Sequence, residues 1–168
     1  LKHPFRKPLI IMSPKSLLRH PLCYSYKQDF TTGKFWEVID DTMVLAPSLK
    51  EHNNISRVLF CSGKIYYDLL EKRTNDNRND IAIIRVEQLY PFPQKQIQDL
   101  VKKYNGAQFC WVQEEPSNMG AATYMKLNFP HPQLQLISRK ASASPASGFA
   151  KVHATEQADI LQKAMGGK

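Results

Sequence analysis

Arg57-Val58-Leu59-Phe60-Cys61 leads through Ser62-Gly63-Lys64 into Ile65-Tyr66-Tyr67-Asp68-Leu69-Leu70. The four residues after Arg57 are apolar without alternation, which is the pattern of a strand buried on both faces. Gly63 makes the turn. In the third piece Ile65, Tyr66, Leu69 and Leu70 fall on one side of a helix. Strand, turn and helix in this order form the opening of a parallel crossover unit. The polar run Thr74 to Asn79 closes the helix.

Working downstream, the unit repeats in kind but not in sequence. Ile81–Val86 is a second buried strand. Pro91 and Pro93 are placed to start a second helix, since proline suits a first turn. Its core face is Ile97, Leu100, Val101 and Tyr104, and Asn105-Gly106 ends it as a C-terminal glycine does. Residues 107–112 form a third strand, and a third helix is expected from about Ser117 to Leu127. Residues 134–138 form a fourth strand, and the Ala- and Ser-rich stretch 140–150 is a loop. A closing helix is expected over Thr155–Met165, with Ala158, Leu161, Ala164 and Met165 inward. The alternation predicts an α/β domain of three layers, a mostly parallel sheet between helices. Function in such sheets collects at the carboxyl ends of the strands. Here those ends are Ser62-Gly63, Glu87-Gln88-Leu89, Gln113-Glu114-Glu115 and Ser138-Arg139.

Upstream the signal is less regular. Lys7 to Pro14 reads as a short strand closed by Pro14, Ser16 to Arg19 as one helical turn, and residues 20–34 show no sustained period. One or two short strands are expected around Asp40-Asp41, then a loop over 45–55.

The 168 residues amount to about one domain at ~150 residues each, too few for two catalytic domains. Hydrophobic residues are 42% and charged residues 23%, so wholesale disorder is excluded. No apolar run approaches the ~20 residues of a membrane-spanning helix. Leu9–Met12 is too short for the apolar part of a signal peptide. The chain opens on Leu1, which suggests a piece of something longer. The net charge of +8 is uneven. Lys2, Arg6, Lys7, Lys15, Arg19, Lys27 and Lys34, against Asp29 alone, give residues 1–34 a net +6. The first segment is therefore a basic leader on a nearly neutral domain, suited to phosphate, nucleic acid or an acidic partner surface.

Few constellations carry chemistry. Cys23, Cys61 and Cys110 are scattered, odd in number and form no CxxC, which argues against a zinc site or disulfide framework and fits a reducing compartment. Ser62-Gly63-Lys64 lacks the rest of a phosphate loop, since Val58 stands where the first glycine belongs and Ile65 where Ser or Thr does. Ser62 is expected to cap the helix instead. Glu114-Glu115 are adjacent on a strand and point to opposite faces. They are expected to favour the dipole of the following helix and to serve an interface. None of His3, His20, His52, His131 and His153 has metal-ligand spacing. His153 is expected to cap the last helix. Lys15 and Arg19, four apart, could with Arg6 and Lys7 clamp a phosphate or carboxylate. Tyr24 and Tyr26 beside Lys27 are too thin a hint for nucleic acid. No catalytic residue and no metal ligand is assigned.

Five segments in order carry a resemblance. They are Pro8–Pro21 (PLIIMSPKSLLRHP), Cys61–Leu69 (CSGKIYYDL), Arg85–Pro93 (RVEQLYPFP), Gln113–Gly120 (QEEPSNMG) and Arg139–Gly148 (RKASASPASG). Together they resemble the C-terminal end of 2-oxoglutarate dehydrogenases, over about Arg6 to Gly166. The resemblance implies a fold like the transketolase C-terminal domain, mostly parallel with one antiparallel strand. It implies an enzyme of the citric acid cycle, a homodimer that decarboxylates 2-oxoglutarate with thiamine diphosphate and magnesium. The succinyl group passes to a lipoyl arm of the dihydrolipoamide succinyltransferase component. This sequence contains no Gly-Asp-Gly, and the family's catalytic histidines lie in upstream domains. The chain is thus expected to bind no cofactor and to be inactive alone, with no nucleic acid or membrane partner. Its work would be dimerisation and support of the cofactor cleft, with Gln113, Glu114, Glu115 and Asn118 as interface or supporting groups. Residues 1–34 would be the end of the preceding pyrimidine-binding domain plus a linker, and 35–168 the domain proper. The compartment would be the cytoplasm of a bacterium or the mitochondrial matrix of a eukaryote. A second implication is a regulatory module for acetyl-CoA or AMP, with Arg6, Lys7, Lys15 and Arg19 as the anion-binding groups.

Overall fold

A computed structural model describes residues 4–8, 10–41 and 55–166. They fall into two compact units, Leu1–Gly33 and Lys34–Lys168.

In the first unit Lys15–Arg19 forms a 3-10 turn, with the Leu17 N–H donating to the Pro14 carbonyl at 3.1 Å. Helix α1 (Lys27–Thr31) is a second short element, in a stretch whose sequence has no apolar period. It stands on local bonds. The Tyr26 N–H donates to Asp29 Oδ2 at 2.8 Å, and the Thr31 and Thr32 hydroxyls both donate to the Gln28 carbonyl at 3.0 Å. The strand expected over Lys7–Pro14 does not form among the described residues, from which Leu9 is absent. Ile10, Ile11 and Met12 are 79%, 75% and 90% exposed. A strand needs a partner's peptide groups, and no ladder reaches this segment.

The second unit is built on a five-stranded sheet of order β1-β3-β2-β4-β5. The strands are β1 (Val38–Ile39), β2 (Arg57–Cys61), β3 (Ile81–Val86), β4 (Gln108–Pro116) and β5 (Gln135–Arg139). All neighbouring pairs are parallel except β1 with β3, where Val38 lies opposite Val86. Four helices complete it among the described residues, α2 (Ile65–Asn75), α3 (Gln94–Lys103), α4 (Ala122–Asn128) and α5 (Ala150–Ala164). The fold is therefore the mostly parallel α/β sheet with one antiparallel strand that was expected.

The strand sequences explain the layers. Side chains alternate across a strand, so an unbroken apolar run feeds two cores. Val58 and Phe60 of β2 join Ile84 and Trp111 in one core, with Ile97 of α3 and Met125 of α4. Leu59 and Cys61 join Ile83 and Val112 in the other, with Leu69 of α2 and Ile160 of α5. Phe60 is fully buried, its ring 5.1 Å from that of Phe129 in an edge contact. At the end of α3, Gly106 has φ +90°, the left-handed conformation its place in the sequence predicts.

Several boundaries differ from expectation. Helix α2 is entered through Lys64 without a side-chain cap, so Ser62 does not cap it. Helix α3 starts at Gln94 with Pro93 just outside, beyond the cis Tyr90–Pro91 peptide. Strand β4 runs four residues past 112, and α4 starts only at Ala122. Helix α5 starts at Ala150 with Phe149 as the residue before it. His153 is thus inside the first turn, its N–H donating to the Phe149 carbonyl at 3.0 Å, and caps nothing. Ile160, not Ala158, occupies the inward face with Ala164 and Met165. The loop expected over 45–55 lies outside the described residues apart from Ile55. No helix among the described residues is long and apolar enough to cross a membrane.

The two buried cysteines have the inert surroundings their apolar flanks predict. Burial pushes the Cys110 thiol up to about 11 and raises Cys61 as well. Cys23 is exposed. A thiol titration with DTNB should therefore find Cys23 alone in the native chain and all three cysteines in denaturant. Rapid native reaction of a second thiol would contradict this packing.

Candidate functional site

The sheet order itself selects a place for a site. The chain leaves β2 for β3 on one side and next enters β4 on the other, so its direction reverses between β2 and β4. Parallel sheets bind ligands outside the carboxyl ends of strands at such a reversal. A cleft of about 510 Å³ opens there. Ser62 and Gly63 come to it from the end of β2, Leu89 and Tyr90 from beyond β3. Trp111, Gln113 and Glu115 come from β4, and Gly120, Ala121 and Tyr124 from the turn and start of α4.

Gln113 holds this edge together. It is buried, and its Oε1 accepts from the Trp111 indole N–H at 2.9 Å. Its Nε2 donates to the carbonyls of Glu115 (3.3 Å), Pro116 (3.1 Å) and Met119 (2.8 Å). One side-chain amide thus satisfies a buried indole and the inside of a turn. Buried polar groups require such partners. Gly120 closes the turn at φ +64°, and a Cβ there would lie 3.2 Å from both polar atoms of Gln113. Residues 117–121 are therefore a turn wound around Gln113, which is why α4 begins late.

Glu114 and Glu115 diverge, as adjacent strand residues do. Glu115 is exposed and faces the cleft. Glu114 pairs with Lys64 at 2.7 Å, and Lys64 also reaches Asp68 at 2.9 Å. Burial works against the Lys64 ammonium, but Glu114 and Asp68 outweigh it and hold it above its ordinary value. Gln157 of α5 donates to the same Asp68 carboxylate at 2.7 Å. Glu114 thus ties β4 to α2, and since five residues separate Pro116 from α4, neither glutamate serves the dipole of that helix. Asn118 is exposed and clasps Ser142 twice, Nδ2 donating to its carbonyl at 2.9 Å and Oδ1 accepting from its N–H at 3.0 Å. Arg139 donates through Nε to the Glu114 carbonyl at 2.7 Å and pairs with Glu156 at 3.3 Å. Gln113, Glu114, Glu115 and Asn118 are therefore gathered on one edge.

Arg6, Lys7, Lys15 and Arg19 are all exposed in the first unit. No hydrogen bond or ion pair joins them to one another, and Lys7 lies over the Phe5 ring. Among the described residues no group of three His, Cys, Asp or Glu stands together as a metal site. Among the described residues the cleft lining carries no basic side chain, so the residues present do not fit a magnesium-bound diphosphate.

Sequence reasoning missed a second polar cluster at the opposite edge. Past β1, Asp40 and Asp41 turn to opposite faces and each grips the end of a different helix. Asp40 accepts from Lys103 and from the Tyr104 hydroxyl, the latter at 2.8 Å, and burial with this bond pushes the Tyr104 phenol well up. Asp41 Oδ2 accepts from Arg73 at 2.5 Å, with side chains only 2% and 5% exposed. Arg73 also donates to the Ile81 carbonyl at 3.0 Å. Asp41 and Arg73 are 32 residues apart and belong to no motif; only their buried types could have hinted at the pair.

Comparison with known proteins agrees with the five segments. Residues 24–165 match the family described as 2-oxoglutarate dehydrogenase C-terminal. The chain is 43% identical over 166 residues to the 2-oxoglutarate dehydrogenase E1 component of Haemophilus influenzae, covering 95% of this chain and 17% of that protein. It is 42% identical over 166 residues to an oxoglutarate dehydrogenase of Buchnera aphidicola, covering 95% and 18%. It is 42% identical over 174 residues to the E1 component of Azotobacter vinelandii, covering 96% and 18%. This chain spans less than a fifth of the length of these relatives. With a family match over most of its length and a mostly parallel sheet with one antiparallel strand, the chain belongs to the 2-oxoglutarate dehydrogenase C-terminal family.

Proposed function

We propose that this chain is the C-terminal domain of a thiamine-diphosphate- and magnesium-dependent 2-oxoglutarate dehydrogenase. That enzyme would decarboxylate 2-oxoglutarate oxidatively in the citric acid cycle and pass the succinyl group to the lipoyl arm of a dihydrolipoamide succinyltransferase. The domain would contribute to a homodimer and to the support of a cofactor cleft built by upstream domains. Residues 1–34 would complete the preceding pyrimidine-binding domain. The observation that carries this is 42–43% identity, over 95–96% of the chain, to E1 components of which it spans 17–18%. The exposed Ile10, Ile11 and Met12 support the assignment of the leader, since three large apolar side chains in water call for a covering surface.

A domain swap tests the reading. The corresponding C-terminal part of the Haemophilus influenzae E1 component is replaced by this chain, and decarboxylation of 2-oxoglutarate is assayed with thiamine diphosphate and magnesium. The chimera is expected to retain activity within about one order of magnitude, some 1.4 kcal/mol of barrier. The same enzyme truncated before this part, and the 168-residue chain alone, are expected to be inactive. A folded but inactive chimera, or turnover by the chain alone, would defeat the proposal.

A further inference from the structure

We propose that the cleft between β2 and β4 is a docking site for a basic side chain, lysine or arginine, carried by a partner polypeptide. The proposal stands on the cleft's chemistry and does not depend on the dehydrogenase reading. Glu115 is the one charged side chain among the described residues that line the cleft. The charges around it are spent on each other, Lys64 on Glu114 and Asp68, Arg139 on Glu156 and carbonyls. A carboxylate is therefore left facing the cleft of a domain that is net positive. The start of α4 adds only a partial positive charge, less than the full charge of the carboxylate.

The walls suit the rest of such a side chain. Tyr90, 82% exposed, and Tyr124, edge-on to Phe92, supply aromatic rings, and Leu89 supplies apolar surface. Ring faces attract ammonium and guanidinium groups, and the methylenes beneath the charge pack on apolar surface. Among the described residues the Ser62 and Tyr124 hydroxyls make no hydrogen bond, and both can accept from a cation. Gln113 and Trp111 are committed to each other and to the turn, so neither of these two is a donor for an anion. Because Gln113 fixes residues 115–120, Glu115 is presented by a set turn and needs little ordering on binding. The cleft is open with an exposed ring on its rim, whereas a small-molecule site encloses most of its ligand. A side chain from a larger partner that covers the rim fits this shape.

The test is an NMR titration of the 168-residue chain with capped pentapeptides of glycine bearing a central lysine, arginine, norleucine or glutamate, and with n-butylammonium. The amides of Gly63 and Gly120 and the Trp111 indole N–H report the cleft. The lysine or arginine peptide is expected to bind about fivefold more tightly than the norleucine peptide. Glu115→Gln should weaken it about threefold, and Tyr90→Ala by a similar factor. Both residues are exposed, so the rest of the spectrum should stay native and show that the variants fold. Equal binding of the norleucine peptide, tighter binding of the glutamate peptide, or an unmoved cleft with the basic peptides would overturn the proposal. Tighter binding of n-butylammonium than of the lysine peptide would overturn the polypeptide partner.

Discussion

Asp41→Ala should lower the stability of this chain by about 3–5 kcal/mol, the cost of removing one partner from a buried ion pair. Arg73 has 5% of its side chain in water and, among the described residues, would keep its charge with a single carbonyl, that of Ile81, in place of the carboxylate. Domains have about 5–15 kcal/mol in hand, so the loss takes a large share. At about 2–4 °C per kcal/mol for this size, the melting midpoint should fall by roughly 6–20 °C. The pair is not thereby worth that much. Among the described residues Asp41 Oδ1 has no hydrogen-bond partner, and burial raises the Asp41 carboxyl above its ordinary value, so the carboxylate is buried at some cost even when paired. The double replacement Asp41→Leu with Arg73→Met should consequently recover most of the loss. Urea unfolding of both variants decides the matter: a single variant within about 1 kcal/mol of the parent, or a double variant as weak as the single, would contradict the structure.

Gln113→Ala should cost about 3–5 kcal/mol by a different route. It strands the Trp111 indole N–H and removes the donor to the Met119 carbonyl, at roughly 1–3 kcal/mol for each buried group left unsatisfied. The Pro116 carbonyl suffers less, since the Met119 N–H also donates to it at 2.9 Å. The turn 117–121 should loosen, and with it the placement of Glu115, so the variant should both melt early and lose preference for basic peptides in the titration above. Asn118→Ala is the control on the same edge. Its two bonds to Ser142 are exposed, and its cost should stay below about 1 kcal/mol. Equal effects from the two substitutions would mean that Gln113 does not organise the turn.

The parts of the fold legible in the sequence share a cause. Strands β2 and β3 match their predicted spans residue for residue because they are buried on both faces, and an unbroken apolar run has no other stable use. The inward face of α3 and its terminating glycine were equally plain. Helix α5 began five residues early because its first turns, Ala150 to Ala154, are exposed and leave no apolar period to detect. Strand β4 ran on to Pro116 because that residue finds Arg139 across an irregular register with β5, a pairing that no local pattern announces. Gln113, Glu114, Glu115 and Asn118 were singled out by their place at a strand's end, and they do share one edge. Their separate tasks depend on Trp111, Lys64 and Ser142, which no spacing connects to them.

By itself, then, the sequence determined the alternation of strand and helix, the two apolar faces of each central strand, and membership of the family through five ordered segments. Each of these is a local or periodic property, and periodicity is written along the chain. Only the tertiary structure decided that the chain reverses between β2 and β4, that Gln113 is spent on a turn and Glu115 is not, and that Asp41 meets Arg73 across 32 residues. These depend on which groups are brought together and which are withdrawn from water, and burial is set by the whole fold.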